Sequence, residues 1–215
     1  MATQYLDIVN KVLKRLREPQ VSTVNENDYS ALIGEFVNDA KREVEDSWNW
    51  SALRTTLTVT TQANVFNYTL VGSGARMRIL SVNDDTNDIE ITYNTAKWFD
   101  TIYQNSNVVA DKPIYYNLNG VSSAGDMQMD LYPPPNGVYA LRVNAVVPEA
   151  TLVNNTDKTS LPSELIIAGA MSRAVEERGL DGGNQTAELR FRLMLADYIA
   201  IDSGNREDEI IWGAV

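Results

Sequence analysis

Apolar residues recur every three or four positions over the first fifty residues of this chain and every second position after that. Over 3–17, Tyr5, Ile8, Val9, Val12, Leu13 and Leu16 share one helical face, while Lys11, Lys14, Arg15 and Arg17 face outward. Thr3 is the expected cap and Pro19 the stop. A polar loop, 20–27, leads to a second predicted helix over 28–48, capped by Asn27 or Asp28. Its stripe is Leu32, Ile33, Phe36, Val37, Ala40, Val44 and Trp48. The two helices are expected to pack as an antiparallel hairpin.

From Leu53 the period is two. LRTTLTVT at 53–60 is rich in β-branched residues and reads as a strand. Further strands are predicted over 65–70, 76–82, 89–93, 114–118, 127–132 and 138–147. Met127, Met129 and Leu131 share one strand face, with Gln128 and Asp130 on the other. Tyr132-Pro133-Pro134-Pro135-Asn136-Gly137 lacks the N–H groups of a central strand and reads as a turn between two antiparallel strands. Residues 95–104, with Trp98, Phe99 and Ile102, predict a short helix.

Helical spacing returns after a polar connection at 148–160. A helix from Pro162 to Arg178 carries Leu165, Ile166, Ala168, Gly169, Met171, Ser172 and Val175, a small-residue face that permits close approach. Gly179 and Asp181-Gly182-Gly183 are expected to end it and turn the chain. A fourth helix over 185–203 has the predicted buried stripe Leu189, Leu193, Leu195, Ala196, Ile199 and Ala200. The layout predicts an α+β fold. A four-helix bundle domain is formed by 1–50 with 161–203. An antiparallel β domain over 51–160, sandwich- or barrel-like, is inserted in it, and 204–215 form an extended C-terminal arm.

Composition narrows the chemistry. With 215 residues the chain has room for one large domain or two small ones. It holds no His and no Cys, which removes Ser-His-Asp and Cys-His catalysis, Cys or His metal sites and disulfides. The net charge of −11 disfavours tight binding to phosphate backbones and suits a surface that DNA passes without sticking. The cluster Lys11, Lys14, Arg15 and Arg17 is the exception: a solvated helix end, or a contact for an acidic partner or DNA. No apolar run approaches the ~20 residues of a membrane span. The first residues lack the charge-then-apolar order of a secretory signal.

Few motifs carry chemistry. Asn83, Asp85 and Asn87 imitate the start of a calcium loop, but Asp88 stands where glycine belongs and Asn94 where glutamate belongs, so a hairpin loop is expected. Gly72-Ser73-Gly74 reads as a turn. Glu164, Glu176 and Glu177 share one predicted helix and are candidates for a carboxylate-dependent hydrolase, for instance on cell wall, but lack an identifiable general acid. The arm has the least ordinary composition: acidic Glu207-Asp208-Glu209, then Ile210-Ile211-Trp212-Gly213-Ala214-Val215. Its apolar end docks either on its own domain or on another subunit or protein, for which Trp and aliphatic residues are typical anchors.

Three stretches together resemble a known family. The string Glu35-Phe36-Val37-Asn38-Asp39-Ala40-Lys41-Arg42-Glu43-Val44-Glu45-Asp46-Ser47-Trp48-Asn49-Trp50-Ser51-Ala52-Leu53-Arg54 is similar to the second helix and first strand of phage head-to-tail adaptors of the tail tubular protein A type. So are Leu131-Tyr132-Pro133-Pro134-Pro135 with Tyr139-Ala140-Leu141-Arg142-Val143, and Leu161-Pro162-Ser163-Glu164-Leu165 through Ala174-Val175-Glu176-Glu177-Arg178-Gly179 and Asp181-Gly182-Gly183. The resemblance implies a virion protein of the head–tail junction, assembled in the host cytoplasm as a dodecameric ring between portal and tail nozzle. Phage DNA would pass through its channel. The role would be structural, with no catalysis, cofactor or membrane. The C-terminal segment would reach onto the portal. Read from composition, the anchors on the portal or a neighbouring subunit are Ile210, Ile211, Trp212 and Val215. The alternative connector is a head-completion or stopper protein of a long-tailed phage.

Overall fold

The computed structural model describes residues 3–105, 107–179 and 181–204, with backbone alone for Asn105 and 181–184. Five helices form: α1 (Tyr5–Arg15), α2 (Asp28–Ser47), α3 (Ala96–Asn105), α4 (Ser163–Glu177) and α5 (Asp181–Gly204). The strands are β1 (Thr3–Gln4), β2 (Arg54–Thr60), β3 (Asn67–Thr69), β4 (Arg78–Asp84) and β5 (Ile89–Glu90), then β6 (Thr92–Tyr93), β7 (Tyr115–Val121), β8 (Met127–Tyr132), β9 (Ala140–Val146) and β10 (Lys158–Thr159). The chain divides into two compact units, one running to Leu53 and resuming at Glu149, the other spanning Arg54–Pro148.

In the helical unit, local chemistry sets the ends of the helices. Thr3 does not cap α1; it pairs with Thr159, and Gln4 with Lys158, in the two-stranded ribbon of β1 and β10. α1 stops before Pro19, because Arg17 adopts φ 63°. Its N–H donates to Lys14 O and that of Glu18 to Leu13 O, which satisfies the last carbonyls. α2 opens with a reciprocal cap: Ser30 N–H donates to Asn27 Oδ1 at 2.8 Å, and Asn27 N–H donates to Ser30 Oγ at 3.2 Å.

The core of this unit is Ile8, Val12, Leu13, Ile33, Val37, Ala40 and Val44, closed by Leu165, Ile166 and Ile167 of α4. α4 is apolar nearly all round and sits inside. Burying each of its large aliphatic side chains contributes about 1.5–3 kcal/mol. Leu32 and Phe36, read as stripe residues, are only half-buried.

The helices do not form the expected four-membered bundle. α1, α2 and α4 pack against one another, whereas α5 packs principally on α4. Gly169 lets both α2 and α5 approach α4 closely. A Cβ there would lie 3.0 Å from Ala40 Cβ on α2 and 3.0 Å from Phe191 Cε2 on α5. Gly182 and Gly183, read as a turn, lie inside α5; Gly179, at φ 66°, is the residue that ends α4.

Polar side chains of α2 hold the returning chain. Asn38 donates to Leu152 O and accepts from Leu152 N–H, both at 3.0 Å. Lys41 and Glu45 form a buried pair at 2.5 Å. Lys41 also donates to Glu149 O and Ala150 O, and Glu45 accepts from Glu149 N–H. Such a pair is tolerable when its remaining hydrogen-bonding positions are filled, as they are here.

The β unit holds two open four-stranded sheets, ordered β2-β9-β4-β5 and β3-β8-β7-β6; neither closes into a barrel. They share one core, including Val82, Leu141 and Val143 from the first sheet and Met129 and Leu131 from the second. The predicted strand 89–93 divides: β5 joins the first sheet, β6 the second, with buried Ile91 between them. β6 pairs with β7 in parallel, not antiparallel as expected. A parallel pair needs a crossover, and α3 lies on it. Trp98 of α3 packs edge-on to Tyr115 and Tyr132 at centroid distances of 4.9 and 5.3 Å. Tyr132–Gly137 does not turn between paired strands, because β8 and β9 lie in different sheets. Asp130, on the face opposite Met129 and Leu131, is buried, with Asn67 Nδ2 and Asn119 Nδ2 donating to its two oxygens.

Gly169→Leu gains helix propensity of up to ~1 kcal/mol but forces α2 and α5 apart, at about 1–3 kcal/mol or more. We expect a net loss of about 2 kcal/mol in urea denaturation. Unchanged or raised stability would show that the approach is not tight.

Candidate functional site

The helical unit leaves one helix incompletely covered. The inner side of α5 carries Phe191, 2% exposed, and is tied at its far end by Asp202, which accepts from Trp48 Nε1 at 2.9 Å. The outer side carries Leu189, Leu193, Ala196 and Ala200, spaced four, three and four. These are the residues read as the core of the stripe, and all are exposed: Leu189 by 58% and Leu193 by 59%. Leu195 and Ile199 are half-buried. The periodicity is real, but the chain's own helices cover the neighbouring face. An exposed apolar row on a helix marks an interaction surface.

Because α5 rests principally on α4, a groove runs along each side of it. Between α2, α4 and α5 the groove is about 340 Å³ and polar. Its charges are mutually neutralised: Arg173 pairs with Glu43 and Arg192 with Glu188, each at 2.6 Å. Hydrogen bonding to Glu188 raises the Arg192 pKa further. Between α1, α4 and α5 the groove is about 710 Å³, floored by Ala168, Met171, Val175 and Ala187, with Arg15 and Arg190 at its rim. Neither Arg190 nor the groove was foreseen. Its lining joins α1 to the much later helices α4 and α5, a juxtaposition with no local signal.

The basic cluster is partly neutralised. Arg15 pairs with Glu164 at 2.8 Å and Lys11 with the same carboxylate at 3.5 Å, so α1 is pinned to the start of α4. Lys14 and Arg17 are exposed and unpaired among the described residues. At the other end of α4, Arg178 donates to Glu18 Oε1 and to Tyr29 Oη, both at 2.7 Å. The Glu18 hydrogen bond, opposed by burial and reinforced by Tyr29, raises its pKa.

Glu164 and Glu176 stand twelve residues apart on α4, about 18 Å, against the roughly 5–9.5 Å of glycosidase pairs. Residues 83–90 form the β4–β5 hairpin, in which Asp84 accepts from Thr86 N–H and from both nitrogens of Asn87. Among the described residues no group of three carboxylates could hold a metal. Ile210, Ile211, Trp212 and Val215 lie outside the described residues.

Residues 3–211 match the SU10 adaptor protein family. The chain belongs to this family of phage head-to-tail adaptors. A search of curated proteins gives no match. The adaptor is thus a structural virion component and not an enzyme, in keeping with a helical unit whose distinctive features are surfaces. Its virion role involves contacts within the head–tail assembly and self-association.

If the outer row of α5 is a free surface, Leu189→Ser with Leu193→Ser should change the unfolding free energy of the isolated subunit by under ~1 kcal/mol. Phe191→Ala, on the opposite face, should cost about 3–5 kcal/mol. Comparable losses for both, in chemical denaturation, would place the outer row in the core.

Proposed function

We propose that this adaptor works as one subunit of a ring, a dodecamer, between the portal at the capsid vertex and the tail nozzle, with phage DNA passing through its channel. The family match over nearly the whole chain carries this reading. The uncovered row on α5 supports it, since a ring needs an apolar face that its own subunit does not fill. In this reading 1–50 with 161–203 form the helical domain around the ring, and a neighbouring subunit completes the bundle that α5 leaves open. The β domain, 51–160, faces the tail. The arm, 204–215, docks on the portal or a neighbouring subunit through Ile210, Ile211, Trp212 and Val215. Lys11, Lys14, Arg15 and Arg17 supply interface charge. The charge of −11 per chain, repeated around the ring, keeps DNA from adhering. Subunits assemble in the host cytoplasm.

Electron microscopy of the purified adaptor, alone and with its portal, tests this. Rings of twelve are expected at least in the presence of portal, and Leu189→Ser with Leu193→Ser should abolish them. A protein that stays monomeric and binds no portal would contradict the proposal.

A further inference from the structure

The dipeptide Asn-Gly occurs twice in this chain, at 119–120 and 136–137, each time followed by Val. It is chemically labile, because glycine has no side chain to shield its backbone nitrogen from the amide of the preceding asparagine. Local sequence hardly separates the two places; their settings do. Asn136 is held in a turn: its Oδ1 accepts from the Tyr139 hydroxyl, and its backbone N–H donates to Asp111 O at 3.2 Å. Thr61 Oγ1 donates to Gly137 O at 2.9 Å. Asn119 stands at a bulge in β7. The ladder pairs Leu118 with Met129 and Val121 with Met127, so Asn119 and Gly120 together face Gln128 alone. Gly120 has φ 81°, and beyond its chain neighbours no atom lies within 4 Å of where a Cβ would be. Asn119 is exposed, and among the described residues its side chain makes a single hydrogen bond, from Nδ2 to Asp130 Oδ2 at 2.8 Å.

We infer that Asn119 is a site of self-modification: it deamidates in the folded adaptor, and the carboxylate it becomes acts on Asp130. The Gly120 nitrogen gives its proton to water and attacks Asn119 Cγ. The N–Cγ bond forms, the Cγ–Nδ2 bond breaks, and Nδ2 takes up a proton from water and leaves as ammonia. Water then opens the five-membered imide. Opening at Cγ gives aspartate, and opening at the main-chain carbonyl gives isoaspartate. The sum is amide plus water to carboxylic acid plus ammonia, with no change in oxidation state. The bulge favours ring closure, because neither residue holds a register position that must be broken. The consequence falls on Asp130, which is 6% exposed and has Asn67 Nδ2 on its other oxygen. At 119 a carboxylate would replace a hydrogen-bond donor, and like charges repel strongly where little water screens them. β8 lies between β3 and β7, so the change acts on a central strand of the second sheet. A virion component is not resynthesised after assembly, so converted subunits accumulate.

Fresh full-length protein, and the same protein kept for weeks in warm, mildly alkaline buffer, are digested and mapped by mass spectrometry. The peptide holding Asn119 should gain about one dalton, NH2 having become OH, at least threefold faster than the peptide holding Asn136. In guanidinium chloride the two rates should converge, because the settings that separate them are gone. Asn119→Gln keeps an amide and should abolish the gain at this site. Asn119→Asp, made directly, should lower the thermal unfolding midpoint by several degrees. Asp130→Asn on that background removes the like charge and should recover most of the loss. No mass gain at Asn119, a rate at Asn136 that equals or exceeds it, or a difference that persists in guanidinium overturns the inference. So does an Asn119→Asp protein as stable as the parent, which removes the effect assigned to Asp130.

Discussion

At Gly169 the backbone of α4 lies so close to Ala40 of α2 and Phe191 of α5 that one added methyl would touch both. Helix packing is short-ranged, so a contact at this distance fixes the axis positions of all three helices. α1 and α2 then close over the other sides of α4, whose large aliphatic residues are fully buried. α5 is left against α4 with a groove on either flank. The exposed row of α5 and the arginine-rimmed groove are both consequences of that one-sided docking. Charge clusters at the ends of α4 hold the arrangement: Glu164 with Arg15 and Lys11 at one end, Arg178 with Glu18 and Tyr29 at the other.

The excursion of the chain into the β unit and back is managed by polar chemistry. The carbonyls of Glu149 and Ala150 meet Lys41, and Asn38 matches both backbone groups of Leu152. Isolated buried charges would be costly. Here Lys41 and Glu45 neutralise one another while satisfying backbone groups that would otherwise lack partners. An adaptor has no reaction to catalyse, and its polar residues accordingly serve anchoring and surface charge.

Much of the fold was legible in residue spacing. α1, α2 and α4 lie within a residue or two of their expected bounds, because each buries a stripe against its own chain, and the strands at 54–60, 127–132 and 140–146 follow the two-residue period. Spacing failed where the partner surface was the issue. Leu189, Leu193, Ala196 and Ala200 make a true helical stripe, yet periodicity cannot say which molecule covers it. Strand partners are equally non-local: 89–93 read as one strand but serves two sheets, and the proline run links strands of different sheets. Alternation put Asp130 on the face opposite the methionines but could not show its burial, which two asparagines on neighbouring strands make possible. The groove with Arg190 left no trace in local sequence, while the apolar arm was conspicuous by composition alone.

The central claim is that α4 is a fixed core element and that α5 presents an assembly face. Hydrogen–deuterium exchange, measured by mass spectrometry on the free subunit and on the assembled ring, tests both halves at once. The account predicts that peptides spanning Leu165–Val175 exchange slowly in both states, and that peptides over 185–200 gain protection on assembly. Rapid exchange throughout α4 in the free subunit, or protection gained only within 54–148 while α5 is unchanged, would contradict it.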